Sequence, residues 1–204
     1  TVLSRGLGDV YKRQVLESPL PLQELIAYAI EGEKFASKGL HADNVAPSLL
    51  GGLVLCPAVL LPDVVELATP AGISSVLVHP ELRVDTAAAR QGLEAHVPMP
   101  KWLEQQGLLA GFIAGCANGD TDLISRSLKD VIIEPQRAAN VYCFDAVMES
   151  AKSAGALGGS LSGSGPSMFA LALDADAERV AAAMAEACSA CLLYTSPSPR
   201  DKTV

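Results

Sequence analysis

Aromatic side chains are scarce in this chain of 204 residues, at 4% with Trp102 the single tryptophan, so the stacking platforms on which single-stranded nucleic acids rest are missing. Positive charge is also in deficit. Lys and Arg total 15 against 23 Asp and Glu, and the formal charge of −8 excludes the basic field of a general nucleic-acid binder and points to small-molecule ligands. No long apolar run stays unbroken: the uncharged stretch from Asn44 to Pro62 is cut by Pro47, Gly51, Gly52, Pro57 and Pro62 into helix-sized and strand-sized pieces, which read as core and not as a membrane span. The N-terminus lacks the basic and apolar regions and the cleavage site of a signal peptide. Cysteine is limited to five residues, and Cys188 and Cys191 form a CxxC with neither a second pair for zinc nor the strand-to-helix setting of a redox site. The reading is a reduced, cytoplasmic protein. What is plentiful is apolar residues, 50% of the chain, enough to bury a sizeable core.

Residues 1–14 and 191–204 show no periodicity, resemble translated sequencing-library adaptors and are expected to be foreign to the fold. Between them, Leu22, Leu25, Ile26, Ala29 and Ile30 follow Pro19 and Pro21 at helical spacing and predict an amphipathic helix, with Gly39 as its stop. Asp43 or Asn44 is expected to cap a short helix that tolerates Pro47 in its first turn and ends at Gly51-Gly52. Strands are expected at Leu53 to Cys56, Val64 to Leu67 and Ile73 to His79, then an Ala-rich helix capped by Asp85-Thr86 and bearing Arg90. Helices are expected at Lys101 to Ala117, Asp120 to Ile132 and, after an interruption at Pro135, Arg137 to Ala154. Strands at Ala156 to Leu161 and Ser167 to Leu173 and a last helix through Val180 and Met184 complete the pattern.

Four places invite chemistry. Glu33 extends the buried stripe of the first helix, either as a solvent-rimmed helix end or as a ligand for a cation. His41, Asp43 and Asn44 gather several donors and acceptors in one short loop, beyond what capping needs. The turn Ser162-Gly163-Ser164-Gly165-Pro166 keeps neither Walker nor dinucleotide spacing; it is a hairpin connection needing positive φ, or a loop whose amides approach an anion. Arg90 and Arg137 are surface charges or bidentate carboxylate holders.

Taken in order, EGE…HADNVAPSLLGG (Glu31 to Gly52), VDTAAAR (Val84 to Arg90), LKDVIIEPQR (Leu128 to Arg137) and GALGGSLSGSGPSMFAL (Gly155 to Leu171) resemble the homoserine kinases of the GHMP kinase superfamily. HADNVAP is the specific part, whereas SGSGP is shared across the superfamily. The resemblance implies an α+β, two-domain GHMP kinase fold, with residues 15–68 forming the end of the N-terminal ATP-binding domain and residues 69–190 a ferredoxin-like C-terminal domain. It implies ATP and L-homoserine as substrates, Mg2+ as cofactor and a homodimer when complete. By the same resemblance Glu33 holds Mg2+, His41, Asp43 and Asn44 meet the amino and hydroxyl ends of homoserine, Thr86, Arg90 and Arg137 address its carboxylate, and Gly163, Ser164 and Gly165 wall the phosphates. Asn44 and Asp43 are the catalytic candidates. The family's GLGSSA phosphate loop has no counterpart, because Gly6-Leu7-Gly8 runs into Asp9-Val10-Tyr11, and an aspartate there repels phosphate. The chain is therefore expected to be an internal fragment that turns over no ATP by itself. A mevalonate-type kinase of the same superfamily and a non-catalytic ferredoxin-like binding domain are the competing readings.

Overall fold

The computed structural model describes residues 20–37, 42–82, 84, 89 and 91–195, without the side chains of residues 22, 23, 33–37 and 192–195. Contacts divide it into two units, one up to Thr69 and one from Pro70 onward. Among the described residues no helix is long and apolar enough to cross a membrane.

In the first unit, helix α1 (Leu22–Ser37) buries the predicted stripe, with Ile26 and Ile30 almost wholly enclosed. Each such side chain contributes roughly 1.5–3 kcal/mol by leaving water. They pack on Ala42, before α2 (Val45–Leu50), and on Ala46 in its first turn, and Leu49, Leu50, Val54, Leu61 and Val64 close the cluster. Strand β1 (Leu53–Leu55) pairs antiparallel with β2 (Val65–Leu67), Val54 opposite Glu66. Pro47 stands in the first turn of α2, where its fixed φ suits the helix. The expected side-chain cap does not form. Asn44 occupies the cap position in a helical conformation (φ −99°, ψ −36°), and a side chain folds back onto the first amides only from an extended backbone. The Ala46 N–H instead donates to Ala42 O at 2.8 Å and Ser48 Oγ to Asn44 O at 2.7 Å, so helical turning begins upstream of Asn44.

The second unit is built on three antiparallel strands in the order β3 (Ile73–Val78), β5 (Met168–Leu173), β4 (Gly158–Leu161). Strand β5 alternates cleanly: Met168, Ala170 and Ala172 are buried beneath α6 (Phe144–Ser153) and α7 (Ala177–Thr195), with Val147, Ala151, Val180, Met184 and Cys188 filling the layer. The succession β3, α6, β4, β5, α7 is the β-α-β-β-α part of a ferredoxin-like arrangement. Between β3 and α6 lie α3 (Met99–Asn118), α4 (Thr121–Ser127) and α5 (Glu134–Ala138), with α3 and α4 packed on each other.

Three expectations are corrected here. The helix expected from Asp120 to Ile132 ends at Ser127, because the following amides find side-chain acceptors: Asp130 Oδ1 takes Ile132 N–H and Ile133 N–H at 2.9 and 2.8 Å, and Gln105 Oε1 takes Val131 N–H at 2.8 Å. The helix expected from Arg137 to Ala154 divides into α5 and α6, and Pro135 opens α5 where it was expected to interrupt. The amides of Asn140, Val141 and Phe144 turn to carbonyls three residues back, which sends both Val141 and Cys143 into the core; residues two apart on one continuous helix face different ways. At the chain's far end α7 continues to Thr195, past the expected limit at Ala190, since nothing before Pro197 breaks a helix. The capped helix expected after Asp85 and the Gly39 stop lie outside the described residues.

Candidate substrate site

The β4–β5 hairpin carries the glycine loop. Ser162 N–H donates to Ser167 O at 2.8 Å and Gly165 N–H to Ser162 O at 3.1 Å, with the backbone at φ +64° at Gly163 and +79° at Gly165, left-handed values that favour glycine. The hairpin reading of this sequence is correct. Beside it, helix α5 presents Arg137, whose Nη1 donates to Gly163 O at 2.8 Å. Its Nε is buried without a partner, so only the remaining Nη hydrogens are left for a ligand. The structure thus joins Arg137 to the Gly163–Gly165 turn, a pairing of residues 26 apart in sequence.

Glu134 and Ser160 were not singled out from the sequence, and both belong to this corner. Glu134 is on α5 three residues before Arg137, and the Ser160 hydroxyl on β4 favours its charged form. Burial nevertheless pushes the Glu134 carboxyl above its ordinary range, and the charges of Asp130 and Asp145 push the same way. Glu134 Oε2 is enclosed with no partner. At the base of the hairpin, His79 Nδ1 lies 2.7 Å from Ser167 Oγ. The i, i+3 spacing of Glu134 and Arg137 was a usable signal in the sequence; the His79–Ser167 contact, made between residues 88 apart, left none.

In the first unit, Asp43 and Asn44 are exposed on the turn before α2. After burial, the Asp43 charge is the second cause that raises the pKa of the Cys56 thiol just past β1. His41, Thr86 and Arg90 lie outside the described residues, and Glu33 is within α1 with its side chain outside them. Among the described residues no group of His, Cys, Asp and Glu side chains is placed to hold a metal ion, so nothing in the geometry tests Glu33 as a Mg2+ ligand.

Comparison with known proteins follows the same line. The family described as GHMP kinases C terminal matches residues 101–190. Homoserine kinase of Xylella fastidiosa (strain 9a5c) is 43% identical over 156 residues, 76% of this chain and 48% of that protein. Homoserine kinase of Chloroherpeton thalassium is 38% identical over 194 residues, 90% of this chain and 61% of that protein. The crystal structure of homoserine kinase from Cytophaga hutchinsonii superposes with a TM-score of 0.83 at 40% identity, over 88% of this chain and 57% of that one. The chain spans about half to three-fifths of the length of these relatives. It has the GHMP kinase fold, carries that family's C-terminal domain and is a homologue of homoserine kinases over this part of their length.

Proposed function

We propose that the whole protein transfers the γ-phosphoryl group of ATP to the side-chain hydroxyl of L-homoserine, giving O-phospho-L-homoserine for threonine synthesis in the cytoplasm, as a homodimer. The observation that carries this reading is Arg137 held on Gly163 of the hairpin turn, in a chain 38–43% identical to homoserine kinases. A small zwitterion offers few atoms for recognition, and a guanidinium fixed by one Nη leaves a planar edge for a carboxylate. In this proposal Thr86 and Arg90 share the carboxylate with Arg137, His41, Asp43 and Asn44 orient the amino and hydroxyl ends, and Gly163, Ser164 and Gly165 line the phosphates. Phosphoryl transfer passes through a loose transition state, so alignment of the hydroxyl by Asn44 and Asp43 suffices without a strong base. Glu33 is the proposed Mg2+ ligand; the ion, when bound, offsets negative charge on the phosphate oxygens.

The test uses a full-length enzyme in which the part of the relatives not spanned here is supplied. Homoserine, serine, threonine and mevalonate are assayed in parallel for the parent and Arg137→Lys. Homoserine is expected to be the best substrate, and the lysine to lower kcat/KM for it roughly ten- to a hundredfold with ATP affinity little changed, because an ammonium cannot reproduce the two-point fork. Preference for mevalonate, or an unchanged kcat/KM in Arg137→Lys, overturns the assignment.

A further inference from the structure

Residues 91–195 carry six Lys and Arg against twelve Asp and Glu, yet three of the six, Arg126, Lys129 and Lys152, line one cavity of about 350 Å3 that no carboxylate lines. The cavity lies between α4, α6 and the start of β4, at the opposite end of that strand from the glycine turn, and Arg137 takes no part in it. Leu128, Met148 and Leu157 give it an apolar wall. The cations are available to a ligand. Among the described residues neither Lys129 nor Lys152 has an acceptor for its ammonium group, and Arg126 is tied only to Asp122, Nε to Oδ2 at 2.9 Å, in an exposed i, i+4 pair of the kind that contributes little.

Compensation of the helix dipole accounts for a cation at a single helix end, as for Arg126 in the last turn of α4 and Lys152 in the last turn of α6. It does not account for Lys129, which follows α4, or for the convergence of all three on one concavity. Like charges brought together repel, and a concave wall of low dielectric concentrates their field. A surface with both signs interspersed avoids that repulsion; an anion entering the cavity offsets it.

We propose that this cavity is a second anion site and takes a small phosphate monoester, its dianionic group among Arg126, Lys129 and Lys152 and its short carbon chain against Leu128, Met148 and Leu157. Two lysines and an arginine match a dianion better than a single carboxylate, and a volume near the low end for ligand pockets limits the rest of the molecule to a few carbons. The proposal does not depend on the homoserine kinase reading, since none of the residues assigned to that reaction lines the cavity.

The test is a 15N NMR titration of the 204-residue chain with ethyl phosphate, inorganic phosphate and propionate at pH 7.5, where the phosphate monoester is largely dianionic. Saturable shifts centred on the Gly158 and Gly159 amides, which line the cavity, are expected with ethyl phosphate. Inorganic phosphate is expected to bind about tenfold more weakly because it leaves the apolar wall uncovered, and propionate at least about fivefold more weakly because it carries one charge. Lys129 and Lys152 are exposed, so their replacement leaves the core intact. Lys129→Gln and Lys152→Gln are each expected to lower the affinity for ethyl phosphate at least about fivefold, and Lys101→Gln, an exposed cation on α3 outside the cavity, by less than about twofold. Shifts confined to Gly163–Gly165 would put the anion at the glycine turn and overturn the proposal. Equal losses in Lys101→Gln and the two cavity variants, the mark of a general charge effect, also overturn it. The same holds if ethyl phosphate does not saturate, or if inorganic phosphate or propionate binds as tightly.

Discussion

Gly159 is the residue at which the hairpin is most sensitive to a single added carbon. It sits opposite Ala170 in the β4–β5 register, and a Cβ there would press into the Phe169 carbonyl oxygen and lie 3.1 Å from both Ala170 Cα and Met148 Sδ. The thioether can swing aside at small cost. The other two atoms are backbone of the paired strand and yield only if β4 and β5 separate. Overpacking of this kind costs about 1–3 kcal/mol, and stretching one ladder bond adds about 1 kcal/mol. Against this, replacing glycine reduces unfolded-chain entropy and returns about 0.4–1 kcal/mol. The net for Gly159→Ala is a loss of about 1–3.5 kcal/mol, or a fall in Tm of roughly 10 °C for a unit of this size. Gly163→Ala is the control. Nothing lies within 4 Å of its Cβ position, so its cost is the left-handed backbone alone, about 1–2 kcal/mol. Thermal unfolding by circular dichroism of the two variants beside the parent reads both values. A Gly159→Ala chain that melts within about 2 °C of the parent, or above Gly163→Ala, refutes the argument that strand approach limits this position.

Further outcomes follow from the titratable groups. Because burial raises the Glu134 carboxyl above 4.5, the native state holds its proton to higher pH than the unfolded chain. Its contribution is therefore fully present below pH 4.5 and is lost as pH rises through the raised native value. Urea denaturation at stepped pH is expected to show the parent losing stability relative to Glu134→Gln as the pH rises above about 4.5, and parallel curves would refute it. The Cys143 thiol is pushed up to about 11, by burial first and then by neighbouring Cys188. Its alkylation by iodoacetamide at pH 7.5, followed by peptide mass spectrometry, is expected to be at least about a hundredfold slower in the folded chain than in urea; equal rates would place the thiol outside the core.

Much of the fold was legible because periodicity records burial. Ile26 and Ile30 on α1, Val147 and Ala151 on α6, and Val180 and Met184 on α7 are enclosed where their spacing put them. Motif order likewise carried the GHMP kinase resemblance. The breaks were not legible. Ser127 ends α4 because Asp130 and Gln105 capture the next amides, and Val141 and Cys143 both enter the core because the chain tightens between α5 and α6. Those outcomes depend on acceptors and cavities supplied by distant segments, which no local window contains.

The candidate site divides along the same line. Sequence alone determined that Gly163 and Gly165 form a turn, since two glycines before a proline admit the positive φ a hairpin needs, and it singled out Arg137 as a cation, but it expected a helix to begin there, whereas Arg137 stands in the last turn of α5. Only the tertiary structure decided that this guanidinium rests on the Gly163 carbonyl and that Glu134 Oε2 is enclosed without a partner. The reason is physical. A backbone dihedral preference belongs to a residue and its neighbours and can be read from them, whereas the partner of a buried charge is chosen among all groups that folding brings within reach, at a cost set by what is left unpaired.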